Sequence, residues 1–351
     1  MCIERRAGRP AAGGKPYARA SAPTACVLLV LTACNGTSSY MDATGAAGRR
    51  ESLLGWWLTI VAALVVVIVC IAIVLGIARG RDHDAAETQP ARREIRSGLR
   101  WIYVGTAITV AILLVTFAGT MMTLNAASRP RVTPSLTLDV TGHQWWWEVR
   151  YWDATHPDLA FTTANEVHLP IGQPVRVRLQ TADVIHSFWL PQIAGKMDLI
   201  PGQVNEMWLQ AEKPGVSRGM CGEYCGLQHA EMALAVTAES PAQFAAWAAH
   251  ERAPAAAPLT DDARVGRVVF ARSCGACHAV AGTEALGRVG PDLTHVAARP
   301  SIAAGLLTNT PANLARWITS APQVKEGARM PAIPLDAPQL RSVVAYLETL
   351  R

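Results

Sequence analysis

The sequence predicts a multidomain membrane protein: a hairpin of two transmembrane helices, then an all-β sandwich, then an all-α domain. Three observations predict it. Two runs, Leu53 to Ala78 and Leu99 to Leu124, hold almost no charge over 26 residues each, and about 20 apolar residues suffice for a helix to cross the hydrocarbon of a bilayer. From about Ser135 to Ser240 short runs alternate apolar and polar residues, broken by Pro and Gly, which is the period of half-buried strands. Beyond an Ala/Pro stretch, Asp261 to Ala271 and Pro338 to Leu350 read as helices. The composition agrees: of 351 residues 50% are hydrophobic and only 17% charged, which argues against a single soluble domain.

Residues 1–34 have a basic start, a short apolar run from Ala25 to Ala33, and then Cys34. That run is too short to span and reads as the core of a secretory signal. Leu31-Thr-Ala-Cys34 also resembles the lipobox of bacterial lipoproteins, whose cysteine is diacylated; the alternative is that Met41 is the true first residue. Residues 35–52 then form an exported segment. The two spans, 53–78 and 99–124, flank the loop 79–98, which with its borders carries Arg79, Arg81, Arg92, Arg93, Arg96 and Arg100. The outer flanks hold only Arg49 and Arg50, and Arg129 and Arg131. The loop is therefore expected in the cytoplasm, with both termini outside. Trp56, Trp57 and Trp101 suit interface anchors, and Cys70 a buried small hydrophobe. The net charge of +5 includes Arg5, Arg6, Arg9, Lys15 and Arg19 ahead of the first apolar run, so it makes no nucleic-acid stripe.

The sandwich, 135–240, is expected to be antiparallel, with strands around Leu136, Leu138 and Val140, around Val175, Val177 and Leu179, around Met207 and Leu209, and around Met232, Leu234 and Val236. Onto it falls Cys221-Gly-Glu-Tyr-Cys-Gly-Leu-Gln-His-Ala-Glu-Met232, with His186 35 residues before Cys221. A mononuclear blue copper site needs one Cys, and structural zinc would leave Met232 idle. Thiolates four residues apart can instead both bridge two copper ions. His186 and His229 are then terminal ligands, and Met232 and the carbonyl of Glu223 weak ones.

These residues resemble cytochrome c oxidase subunit II, over Leu53 to about Ser240. The family's dinuclear copper centre, CuA, uses H followed by C-x-E-x-C-x-x-x-H-x-x-M, matched at His186, Cys221, Glu223, Cys225, His229 and Met232. The resemblance implies a cupredoxin-like sandwich. Gly142-His-Gln-Trp-Trp-Trp147 looks like the family's G-H-Q-W-aromatic-W run, which implies that electrons enter near Trp145; Trp147, two residues on, is expected in the core. Asp183 fits the family pattern, and the Glu223 carboxylate is implied to reach a magnesium ion at the contact with subunit I. The second span lacks the carboxylate and proline common in the family, and Glu94 in the loop is the only nearby acid, so no proton role is assigned.

Residues 253–260 are a linker, and residues 261–351 a last domain. Cys274-Gly-Ala-Cys-His278 is the attachment motif of c-type haem, in which two thiols add across the vinyl groups while the histidine reaches the iron. Gly290-Pro-Asp-Leu293 and Arg329-Met-Pro331 follow, with Met330 52 residues after His278. This resembles a class I cytochrome c. It implies His278 and Met330 as axial ligands, Pro291 as the residue whose carbonyl orients His278, and crossed terminal helices through Gly266, Phe270 and Tyr346. His295 competes with Met330 as sixth ligand.

Together the resemblances imply a bacterial inner-membrane protein with its redox domains on the periplasmic side. It would take electrons from a soluble cytochrome c through one covalent haem c, pass them through CuA to haem a of subunit I, and assemble with subunits I and III. Oxygen reduction and most proton pumping would belong to the partner, because this chain offers no set of intramembrane histidines for haem a or a third copper. The alternatives are a stand-alone membrane-tethered electron carrier or copper protein, and the CuA subunit of a nitric oxide reductase-type complex.

Overall fold

The computed structural model describes Gly36, residues 38–80, 92–128, Pro130 and residues 132–351. The signal or lipobox segment with Cys34 lies outside the described residues, as do most of the loop 79–98 and the side chain of Glu94.

The apolar runs form α1 (Ala46–Gly80) and α2 (Arg92–Ser128). Both are long and apolar enough to cross a membrane, over Ala46–Arg79 and Gly98–Asn125. Each outlasts its predicted span. α1 begins inside the segment expected to precede it because its start docks on the sandwich. The N–H groups of Thr44, Gly45 and Gly48, among those a helix start leaves unpaired, donate to the carbonyls of Gln192 (2.7 and 2.9 Å) and Ile193 (3.0 Å). Arg49 pairs with Glu212 at 2.9 Å. The sequence there needs no apolar periodicity, since the sandwich supplies the partners. Trp56, Trp57 and Trp101 are exposed, as anchors at a membrane interface would be. Cys70 is exposed on α1 and not buried as expected; α1 and α2 meet near the other end, where Trp57 Nε1 donates to Thr116 Oγ1 at 3.3 Å.

The sandwich has one sheet of β1 (Leu136–His143), β2 (Trp146–Asp153), β3 (His156–Ala164), β5 (Val175–Thr181) and β8 (Asn205–Leu209), in the order β3-β2-β1-β5-β8. The other sheet holds β4 (Glu166–Pro170), β6 (His186–Trp189), β7 (Met197–Leu199), β9 (Gly215–Cys221) and β10 (Ala233–Glu239), in the order β4-β10-β9-β6-β7. Leu138 and Val140 of β1 and Val175, Val177 and Leu179 of β5 fill the space between them with Trp147 and Phe188. The sandwich is mixed, not purely antiparallel: β1 pairs with β5 and β10 with β4 in parallel. The chain crosses to the other sheet as β4 between β3 and β5, and a crossing connection lets a strand return beside β1 in the same direction. Trp145 lies in the turn before β2, so it does not share a strand face with Trp147.

Ser240 and Gln243 form a capping box that starts α3 (Pro241–Glu251), whose Trp247 stacks on His168 at 3.9 Å. The linker 253–260 has no regular structure. The last domain contains α4 (Asp261–Ser273), α5 (Pro311–Val324) and α6 (Ala337–Thr349), with a small ladder of β11 (Ser301–Ile302) and β12 (Leu307–Thr308). α4 and α6 cross where Gly266 meets Ser342: a Cβ on Gly266 would lie 1.8 Å from the Ser342 carbonyl oxygen. Beside the crossing Phe270 packs on Tyr346 at 5.5 Å. Gly266→Ala is therefore expected to cost about 3 kcal/mol, the upper end for overpacking, because a backbone atom cannot swing aside. A denaturant titration of the cytochrome domain in the intact chain checks this, and an unchanged midpoint would refute the close crossing.

Candidate functional site

Three elements of the second sheet converge on one end of the sandwich. β9 ends at Cys221, the loop doubles back through a 3-10 turn at His229–Glu231, and β10 begins directly after Met232. The loop is closed at its neck by the N–H of Cys221, which donates to the Met232 carbonyl at 3.0 Å. His186 opens β6, which pairs with β9 through Phe188 and Cys221.

The thiols of Cys221 and Cys225 are 3.8 Å apart. His186 Nδ1 stands 3.9 Å from Cys221 Sγ, and His229 Nδ1 3.8 Å from Cys225 Sγ. Met232 Sδ is 3.9 Å from Cys225 Sγ, and the Glu223 carbonyl oxygen 3.1 Å from Cys221 Sγ. Both thiols, His186 and Met232 are buried. Asp183 accepts a hydrogen bond from His186 Nε2 at 2.9 Å, which leaves Nδ1 bare toward the sulfurs. Burial works against the charge of Asp183, but hydrogen bonds from His186 and from the N–H groups of Gln144 and Val184 hold its carboxyl below the ordinary range.

Contact with the Cys225 thiol, opposed by burial and aided by His186, pulls Cys221 down to about 3. The same contact, with burial, pushes Cys225 up. Two thiols in contact oppose each other's ionisation, and positive charge at the sulfurs is what would ionise both. Two thiols, two imidazoles, a thioether and a carbonyl are donors that fit soft, thiophilic ions such as copper. The Glu223 carboxylate points elsewhere, 3.8 Å from Lys196 Nζ, which also lies 3.4 Å from Asp198. Among the described residues it joins no cluster of three ligand side chains.

In the last domain Cys274, Cys277, His278, Pro291 and Met330 line one open cleft. His278 Nδ1 donates to the Pro291 carbonyl at 2.8 Å, which leaves Nε2 for a ligand. Burial lowers the His278 pKa and favours the neutral, ligating form. A flat tetrapyrrole fits this donor set: paired thiols, an imidazole and a thioether around an open, mostly apolar space. The cleft also contains His143, whose Nε2 is buried without a hydrogen-bond partner among the described residues. His295 does not line it. Its ring nitrogens meet the carbonyls of Arg351 (2.9 Å) and Ala253 (3.0 Å), so the competing sixth-ligand reading fails on geometry.

The two sites share a wall. His143, Gln144, Trp145 and Trp146 of the copper domain line the same cleft. Trp145 Nε1 donates to the carbonyl of Cys225 at 3.0 Å, so one indole touches both sites. What seats the domains together is not encoded in any local motif. Lys325 Nζ donates to the carbonyls of Trp145 (2.9 Å), Glu231 (2.8 Å) and Ala303 (2.9 Å). Burial pulls this ammonium down to about 8. Arg299 pairs with Glu166 at 3.4 Å, the exposed Arg329 lies 3.6 Å from Asp183, and the Ala233 N–H donates to the Ala304 carbonyl at 3.0 Å.

Comparison with known proteins gives two family matches: the periplasmic domain of cytochrome c oxidase subunit II over residues 157–239, and cytochrome c over residues 263–351. Cytochrome c oxidase subunit 2 of Alkalihalophilus pseudofirmus is 32% identical over 336 residues, covering 94% of this chain and 96% of its own. That of Bacillus sp. PS3 is 30% identical over 269 residues, covering 71% and 73%. The crystal structure of the periplasmic domain of subunit II of cytochrome oxidase from Bradyrhizobium japonicum is 34% identical. It covers 34% of this chain and 96% of that one, with a TM-score of 0.32.

Proposed function

From a chain that belongs to the cytochrome c oxidase subunit II family and ends in a cytochrome c domain, we propose an internal relay: haem c and dinuclear CuA, when bound, supply one-electron transfer from a soluble cytochrome c toward haem a of subunit I. Subunit I is the partner that a subunit II requires; oxygen reduction and proton pumping occur there, with subunit III in the same assembly. The protein sits in the bacterial inner membrane, with both redox domains on the periplasmic side.

The chain's own residues bind, orient and exclude water. Cys274 and Cys277 would hold the porphyrin covalently, and His278 and Met330 would ligate its iron. The Pro291 carbonyl sets the plane of the His278 ring. His186, Cys221, Cys225, His229 and Met232, with the Glu223 carbonyl, would hold the copper pair. Asp183 fixes the His186 tautomer. Donor side chains already in place, in a loop closed between two strands, would let bound copper supply fast one-electron transfer with little rearrangement. The Glu223 carboxylate would have to leave Lys196 to reach a magnesium ion at the contact with subunit I.

One observation carries the reading: Trp145 donates to the carbonyl of the copper ligand Cys225 and also walls the cleft that holds the haem-binding residues. In a subunit II without a fused cytochrome that indole would face an external donor. Here it is 8% exposed, and the chain's own cytochrome domain covers it. The test is to purify the chain with its membrane partners and record optical and EPR spectra. Haem c, haem a and a copper signal shared between two nuclei are expected. A mononuclear copper signal, or a complex without haem a, would overturn the assignment.

A further inference from the structure

We propose that Lys325 is a buried latch that keeps the cytochrome domain permanently seated on the copper domain, making it a positioning residue for transfer past Trp145. This rests on the haem-to-copper relay proposed above and names what fixes its geometry. Lys325 is 2% exposed. All three hydrogens of its ammonium are used: two of the acceptors, Trp145 and Glu231, belong to the copper domain, and the third, Ala303, to the cytochrome domain. Glu231 precedes the copper-loop residue Met232, and Lys325 lies five residues before the haem-cleft residue Met330. A single side chain therefore ties both ligand loops to one point.

Trp145 is held on three sides. Its carbonyl accepts from Lys325, its indole N–H donates to Cys225, and its ring abuts Gly327, where a Cβ would lie 2.9 Å from Cη2. Gly327 has φ +79°, a left-handed conformation that lets the loop turn flat against the indole. Encounter complexes of electron carriers are small, wet and held by rim charges that salt screens. This contact differs in kind, because its central charge is dry and fully hydrogen-bonded to backbone. Arg299 with Glu166, and Ala233 with Ala304, extend the seam on the same side.

The test uses the intact oxidase complex. Lys325→Met keeps the aliphatic stem and leaves three carbonyls without a donor, so internal transfer from haem c to copper is expected to slow by ~10-fold or more. Reduction of haem c by an external donor, and the haem c and copper spectra, should match wild type. Deuterium uptake should rise in residues 143–146 and 325–330, a readout independent of turnover. In the wild-type complex the internal rate should stay flat from about 0.05 to 0.5 M salt, because a buried contact is screened little. Should Lys325→Met lose its haem spectrum, Lys325→Gln, which keeps a donor, takes its place. Unchanged internal rate and exchange in the variant, or a wild-type rate that falls steeply with salt, would overturn the latch. Absence of haem c or of dinuclear copper in the wild type would instead defeat the relay itself.

Discussion

Cys221→Ser is expected to stop electron delivery to the partner subunit while leaving haem c intact. Cys221 touches Cys225, His186 and the Glu223 carbonyl, so its sulfur is the hub of the donor set. A hydroxyl there is a harder donor and far less easily ionised than a thiol, so it would hold soft copper ions poorly. Loss of an outer-shell partner alone typically costs a metal site ~10- to 100-fold, so turnover with a soluble donor should fall by more than about 100-fold. The α-band of haem c should be unchanged, because Cys221 does not line that cleft. Oxygen consumption, recorded with optical and EPR spectra of the same preparation, separates the two centres. Full turnover in this variant would refute the copper assignment.

Met330→Ala should do the reverse. A thioether opposite histidine raises a haem potential, and axial ligands tune potentials over ~0.8 V, so its loss should lower the haem c midpoint by on the order of 0.1 V. Met330 lines the cleft with His278, whereas Met232 is the thioether beside Cys225, so the copper signal should persist. Redox titration of the haem band against the copper EPR signal measures both. A midpoint equal to wild type would remove Met330 from the iron.

Much of the site was legible because its ligands crowd into short stretches. Cys221 to Met232 is one loop and Cys274 to His278 one turn, so spacing alone limited the chemistry they can do. The pair of membrane helices was legible from length and lack of charge. What escaped was long-range. Lys325 meets Trp145 across 180 positions, and in the sequence it is an ordinary base after a helix. The early start of α1 was hidden because it is set by the carbonyls of Gln192 and Ile193 and not by its own pattern. The parallel pairing of β1 with β5 follows from a crossing that no local period encodes. Two helices did leave a readable signal. Ser240 and Gln243 are a capping box, and Thr310-Pro311 followed by Leu314, Ile318 and Ala321 gives a cap and a buried face at helical spacing.

The linker 253–260 is short and is bonded back to its own domain through Ala255 and Ala281. A short tether gives its cargo an effective concentration of roughly millimolar or above, so a free carrier of equal affinity at about micromolar concentration would hold the Trp145 face only about once in a thousand encounters. In the proposed relay, soluble donors would therefore compete for the outer surface of the tethered cytochrome rather than for the Trp145 face, and choice of donor could drift there without disturbing the copper ligands.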